Sequence, residues 1–245
     1  MKKQTVIVTG ASSGIGLGIA RYFHERGDNV VINSLSPDKL KEAYLTLGGG
    51  GNLLPLPGDI GDKSIGVALA ANAIERFGSI DVLVNNAGLY NAKPFLEADE
   101  PYLDLFLRTN LKGTFFTTQA VIPQMIKQKG GAIINIGTTM VTTAIAGVNV
   151  TAAISSKGAI HALTIQLAAE YGQYNIRTNV VAVGVVDTAL HSIDGKDTTG
   201  QIPGINLLNR MGEVVEIAEM VYAVSKSSFV NGAIINVDGG RGACR

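Results

Sequence analysis

Three glycines, Gly10, Gly14 and Gly16, follow at fixed spacing the short β-branched run Val6-Ile7-Val8-Thr9. Glycine lets a backbone turn tightly and approach a ligand with no Cβ in the way. The pattern then turns helical, so the first N–H groups of a helix, backed by the positive end of its dipole, face the turn. That is the chemistry of holding a pyrophosphate. The pattern alone is a weak sign, because an ordinary strand-to-helix turn also uses glycine. Its weight comes from company. Asp59, the run Asn86-Ala87-Gly88 and the pair Thr138-Thr139 each stand after a different apolar segment further along the chain.

Those residues need elements to position them. Apolar runs at 5–9, 30–32, 53–56, 81–84, 132–136, 176–181 and 233–237 read as strands. Between them, helical patterns cover 14–26, 37–47, 63–77, 99–127, 152–171 and 213–224. Ser36-Pro37 and Asp62 are helix-opening signals, the first a cap followed by proline in the first turn. Strands alternating with helices make an α/β fold: a doubly wound parallel sheet of about seven strands with helices on both faces and right-handed crossovers. In such sheets a ligand lies at the carboxyl ends of the strands, near the point where the strand order reverses. The residues singled out above all fall at carboxyl ends. No repeat or low-complexity linker divides 1–245, which reads as one domain, and the aperiodic stretch 187–210 reads as a lid over the substrate.

Bulk properties narrow the function. Apolar residues make up 46% of the 245 and charged residues 16%, with formal net charge zero. That gives no electrostatic case for nucleic acid or an anionic membrane. No stretch approaches the roughly 20 apolar residues of a transmembrane span, and the apolar run after Met1-Lys2-Lys3 is too short for a signal peptide. A cytoplasmic location is expected. The lone cysteine, Cys244, allows no intrachain disulfide and lies outside any metal spacing, so no metal site is expected.

Taken together, Thr9-Gly10-xxx-Gly14-x-Gly16, Asp59, Asn85-Asn86-Ala87-Gly88, Asn110, Lys157, Asn179, Gly184, Thr188 and Val237-Asp238-Gly239-Gly240 resemble the classical short-chain dehydrogenase/reductases over the whole chain. The resemblance implies a Rossmann-like domain, a nicotinamide dinucleotide and commonly a homotetramer, or a homodimer. It implies that Gly10, Ser12, Ser13, Gly14, Ile15 and Gly16 wrap the pyrophosphate. Asp59 and the Ile60 backbone would meet adenine, Asn86 and Ala87 would border the adenosine ribose, and Gly88 is a further cofactor-binding residue. The Val186 backbone and the Thr188 side chain would hold the nicotinamide carboxamide, Gly184 is a further cofactor-binding residue, and Lys157 would bridge the nicotinamide ribose hydroxyls. The long helices near 99–127 and 152–171 are the expected subunit interface, with Ile160, Leu163, Thr164 and Leu167 as an apolar flank.

Cofactor choice has a physical handle. NAD-specific sites carry an acid after the second strand to bind the ribose 2′-hydroxyl. Here that stretch is Asn33-Ser34-Leu35-Ser36, with no acid before Asp38. Ser34, Leu35 and their neighbours therefore leave room for a 2′-phosphate, and NADP(H) is favoured over NAD(H).

The departures are as informative. The family's tyrosine lies four residues before its lysine; here that position is Ala153, and no tyrosine occurs between Tyr102 and Tyr171. The family's serine is missing too. Thr138 stands at its place in Asn135-Ile136-Gly137-Thr138, whereas counting back from Ala153 reaches Met140, so Thr138 and Thr139 both remain candidate hydroxyls. Val183 replaces a customary proline. The catalytic candidates are Lys157, Asn110, Thr138 and Thr139, with waters filling the space at Ala153. Tyr90, Ala153 and His191 are candidate substrate contacts, with a surface or packing role as the alternative for Tyr90. His24 and His161 read as packing or surface groups. The expected activity is reduction of a small ketone or aldehyde to its alcohol by hydride transfer through an altered proton relay. The alternative is a dinucleotide-binding protein of regulatory or structural role that lacks turnover, or a form crippled by a Tyr→Ala change.

Overall fold

Strand β1 (Thr5–Val8) is buried along its whole length. Its side chains alternate between two cores, Val6 and Val8 on one face of the sheet and Ile7 on the other. The pleat dictates that alternation, and a parallel strand covered on both faces needs an unbroken apolar run. The computed structural model describes residues 3–188, 192–193, 196–197 and 206–243.

Seven strands form one parallel sheet in the order β3-β2-β1-β4-β5-β6-β9. They are β1, β2 (Asn29–Ser34), β3 (Leu53–Pro57), β4 (Val82–Asn85), β5 (Gly131–Thr138), β6 (Ile176–Val183) and β9 (Ile234–Val237). The order reverses between β1 and β4, which pair directly through Ile7 and Leu83. Helices α1 (Gly14–His24), α2 (Pro37–Thr46) and α7 (Val214–Lys226) cover one face; Ile19, Phe23, Leu40, Ile217 and Val221 are their core residues. On the other face lie α3 (Lys63–Phe77), α4 (Glu100–Phe106), α5 (Gly113–Lys127) and α6 (Thr151–Tyr171), with Leu69, Val121 and Met125 buried beneath them. The doubly wound architecture is therefore as expected. Ser36 and Asp62 cap α2 and α3 as their sequence signals imply, accepting from the N–H groups of Lys39 and Ser64.

Three features depart from the expected elements. The single helix expected over 99–127 is interrupted by a π-helical segment, Leu107–Lys112, with Asn110 fully buried inside it. Such segments are rare and concentrate at functional sites. A two-stranded antiparallel hairpin, β7 (Ser192–Ile193) and β8 (Lys196–Asp197), lies in the stretch expected to be an aperiodic lid. Third, Ile160 and Thr164 do not flank an interface. They are buried within the chain, and Leu167 packs on the core. On α6 it is Ile165 that is exposed. A helix lying flat on a sheet turns its apolar side to the sheet first, so its buried face and its outward face are easily confused in the sequence.

Candidate active site

The turn after β1 is built by three glycines: a Cβ on Gly10 or Gly16 would collide with neighbouring backbone, and Gly14 holds a backbone angle that other residues rarely adopt. Gly10 and Gly14 hold φ of 64° and 52°, in the left-handed region. A Cβ on Gly10 would lie 2.7 Å from the Ala87 Cα, and one on Gly16 would lie 2.3 Å from the Gly10 carbonyl oxygen. Helix α1 then starts at Gly14 with no side-chain cap on its N–H groups. Asn86 locks the turn to the end of β4: its Nδ2 donates to the carbonyls of Thr9 at 2.9 Å and Gly10 at 3.1 Å. The Thr9 hydroxyl oxygen in return accepts from the N–H groups of Asn86 and Ala87, each at 3.0 Å. The result is a glycine-rich cradle at the uncapped N-terminus of α1, and it fits a dinucleotide pyrophosphate.

At the end of β2, the Ser34 hydroxyl donates to the Ser12 hydroxyl at 2.8 Å, while Leu35 points into solvent. Among the described residues, no carboxylate is hydrogen-bonded to either hydroxyl, and the segment Asn33-Ser34-Leu35-Ser36 contains no acid. Asp59 and Ile60 lie after β3, off the main cleft. Asp59 accepts from the Gly61 N–H at 2.8 Å and from Arg108 at 2.6 Å, and Ile60 is buried in the core. The Asp59 carboxylate is thus held in place by a neighbouring arginine that the sequence reading did not connect with it.

Helix α6 supplies the chemistry. Ala153 and Lys157 sit one turn apart, and both line the cleft. The Lys157 Nζ donates to the Ile136 carbonyl at 2.7 Å. Although the side chain is part-exposed to the cleft, its ammonium end is enclosed, and that loss of water brings its pKa down to about 8. Gly88 is what allows the approach: a Cβ there would lie 3.3 Å from both the Lys157 Nζ and the Asn110 Oδ1. Asn110 itself stands behind the cleft. Its Oδ1 accepts from the Leu89 N–H at 2.7 Å, and its Nδ2 donates to the Ser156 hydroxyl at 2.8 Å and to the Leu89 carbonyl at 3.2 Å.

Thr138 and Thr139 close the carboxyl end of β5. The Thr138 oxygen accepts from the Met140 N–H at 3.2 Å, leaving its proton available to a ligand. Thr139 is buried, and its hydroxyl has no partner among the described residues. His161, one turn beyond Lys157, is buried rather than at the surface. Its ring occupies the space that Gly137 leaves, with Nε2 2.5 Å from where a Cβ on Gly137 would be.

The expected site residues converge. Gly10, Ser12 to Gly16, Asn86 to Gly88, Tyr90, Thr138, Thr139, Ala153, Lys157, Gly184, Val186 and Thr188 line one cleft of about 400 Å³. Gly184 is another forced glycine, since a Cβ there would lie 2.8 Å from the Asp238 Cα. Ser34, Leu35, Asp59, Ile60 and Asn110 are not in the lining, and His191 lies outside the described residues. The cleft also contains Met140, Ile145, Ile154 and Arg241, which the sequence reading missed. For Arg241 a signal existed: it directly follows the Asp238-Gly239-Gly240 turn. Among the described residues, no helix is long and apolar enough to cross a membrane.

Residues 4–198 match the family described as short chain dehydrogenase. The chain is 36% identical to an L-rhamnose-1-dehydrogenase of Scheffersomyces stipitis, over 97% of this chain and 95% of that one. It is 35% identical to an L-rhamnose 1-dehydrogenase (NAD(P)(+)) of Azotobacter vinelandii, over 97% of this chain and 96% of that one. Among solved structures, ElxO with NADP bound superposes with a TM-score of 0.92 at 26% identity, covering 99% of this chain and all (100%) of that one.

Proposed function

The chain belongs to the short chain dehydrogenase family, and on that premise we propose that it is an NADP(H)-dependent reductase of ketones or aldehydes, working without the family's tyrosine and serine. The observation that carries this reading is Lys157: its enclosed ammonium, bonded to Ile136, faces a cleft that also contains the whole glycine cradle. The dehydrogenase names of the relatives, and the NADP in ElxO, support an oxidoreductase that uses a nicotinamide dinucleotide. The lack of an acid in Asn33-Ser34-Leu35-Ser36 at the end of β2 supports NADP(H) over NAD(H), because an acid there would repel a 2′-phosphate.

A bound reduced nicotinamide supplies hydride to the carbonyl carbon. This chain's residues must then orient the carbonyl and deliver one proton to its oxygen, which becomes the alcohol hydroxyl. Thr138 donates a hydrogen bond to that oxygen and keeps its proton. Lys157, with a pKa near 8, is mostly protonated at neutral pH and passes a proton through water in the space over Ala153. Asn110 is a positioning residue, fixing Leu89 and Ser156 so that α6 presents Lys157 at the right depth. General acid catalysis is worth about 10²–10⁴ in rate, so a relay through water is expected to be slower than a placed phenol.

We assign the assembly to a homotetramer or homodimer, supported by the exposed Phe95, Leu96, Leu105 and Phe115 around α4 and α5. The reading is tested by following NADPH oxidation with a panel of aldehydes, ketones and diketones. Turnover above background that depends on both carbonyl and protein supports it. NADPH binding without turnover on any of them overturns it in favour of a dinucleotide-binding role.

A further inference from the structure

The new alcohol oxygen needs a proton, and the cleft holds a phenol that the chemistry above does not use. Tyr90 lines it together with Thr138, Met140, Ala153 and Lys157. The segment around Tyr90 is held at three points. A Cβ on Gly88 would lie 3.3 Å from the Lys157 Nζ, so the chain passes directly against the ammonium there. Asn110 grips the next residue twice, accepting from the Leu89 N–H at 2.7 Å and donating to the Leu89 carbonyl at 3.2 Å. Beyond Tyr90, the Tyr102 hydroxyl donates to the Asn91 carbonyl at 2.9 Å. The backbone on either side of Tyr90 is therefore pinned, although its ring is part-open to solvent. Its hydroxyl meets the Met140 sulfur at 3.8 Å, and Met140 packs on the apolar cluster that contains Ala153. That puts the hydroxyl on the Ala153 side of the cleft. A thioether sulfur is a weak acceptor, so the contact yields readily to a substrate oxygen.

We propose that Tyr90 is the final proton donor: its phenolic O–H gives the proton to the oxygen of the carbonyl being reduced. This deepens the reductase reading and rests on it. As hydride bonds to the carbonyl carbon, the C=O π pair moves onto oxygen. The Tyr90 O–H bond breaks, its electron pair stays on the phenolate, and the proton forms the alcohol O–H. Water in the cleft reprotonates the phenolate, and the Lys157 ammonium restores that water. The carbonyl gains one hydride and one proton, and the nicotinamide is oxidised. A phenol is a much stronger acid than an alcohol, so its proton passes downhill to an alkoxide, whereas the Thr138 hydroxyl is itself an alcohol and only orients the oxygen. Burial holds the Tyr90 pKa above the ordinary tyrosine value, with Arg241 opposing, so the donor is protonated throughout the neutral range.

The test is single-turnover reduction of a carbonyl from the panel by NADPH-loaded protein, with wild type set against Tyr90→Phe, which keeps the ring and removes only the hydroxyl. The rate constant is expected to fall by about 10²–10⁴-fold, the worth of a general acid. The NADPH dissociation constant and the half-saturating carbonyl concentration should change by no more than about 2-fold, because the lost interaction belongs to the transition state. Adding Ala153→Tyr to Tyr90→Phe should recover most of the loss, a larger gain than the same change gives in wild type. NADPH binding by each variant confirms that it is folded. A Tyr90→Phe rate constant equal to that of wild type, or a loss confined to the half-saturating concentration, would overturn the proposal. So would an equal gain from Ala153→Tyr in both backgrounds, since two phenols serving one oxygen cannot act independently. Failure of the reductase reading has a separate signature: wild type itself oxidises no NADPH, which removes the proposal along with it.

Discussion

The Lys157 Nζ lies 2.7 Å from the Ile136 carbonyl oxygen, one residue before Gly137 and two before Thr138. That bond fixes a cation at the carboxyl end of β5, beside the hydroxyls that stand where the family has serine. Enclosure there lowers its pKa from 10.5 to about 8. A protonated Lys157 is therefore needed near its own titration point. Turnover is expected to fall as pH rises through about 8, and Lys157→Met should abolish it. A rate unchanged between pH 7 and 9, or an active Lys157→Met, would remove lysine from the relay.

The same shift predicts a stability signature. A lysine whose folded pKa is depressed binds fewer protons in the folded chain than in the unfolded one between about 8 and 10.5. Stability should rise with pH across that window and be insensitive to this group below it. The full shift corresponds to at most about 3 kcal/mol, reduced because the side chain is only half-buried. In denaturant titrations without cofactor, Lys157→Met should be more stable than wild type at pH 7, with the difference shrinking toward pH 10. A difference constant over that range would contradict the cause assigned here.

Ala153 stands one helical turn before Lys157, facing the same cleft. Ala153→Tyr is expected to raise the rate constant for reduction by about 10- to 100-fold, within the range of a placed general acid, with NADPH affinity little changed. Loss of activity would show that the open space is itself part of the relay.

Ser34 donates to Ser12 at the end of β2. Ser34→Asp would put a carboxylate where a 2′-phosphate is expected and where a 2′-hydroxyl could use it. The NADPH dissociation constant should rise by at least about 10-fold, from repulsion of like charges, while NADH binding improves. Equal effects on both dinucleotides would contradict the preference for NADP(H).

Gly137 and His161 form a packing pair. A Cβ on Gly137 would meet the His161 Nε2 at 2.5 Å. Gly137→Ala should cost about 1–3 kcal/mol as an overpacking change, and His161→Ala should relieve most of it. Additive losses in the double variant, by thermal or denaturant unfolding, would show that the two do not interact.

Much of this was legible in the residues. The glycine spacing, Asn86 and the two helix caps each announce a local geometry that only a few residue types satisfy, so the sheet, its order reversal and the cradle follow from the chain. What escaped depends on tertiary neighbours. Asn110 is singled out by the family resemblance, but only the fold shows it inside a π segment bonded to Leu89 and Ser156. Arg108 pairs with Asp59 from 49 residues away, beyond any local pattern. Ile160 and Thr164 have the spacing of an exposed stripe, yet that stripe is the sheet-facing one. Arg241 sits after a motif whose apparent work ends at Gly240, and its place in the cleft depends on how Asp238 folds the last turn.

With Ala153 in place of tyrosine, the protein is expected still to reduce a carbonyl. The most direct measurement is isotope transfer: incubation with NADPH deuterated at the transferring position and a carbonyl substrate, with the alcohol analysed by mass spectrometry. One deuterium is expected on the carbinol carbon, formed by wild type and not by Lys157→Met. Saturable NADPH binding with no labelled alcohol, over the panel of aldehydes, ketones and oxo acids, would contradict it.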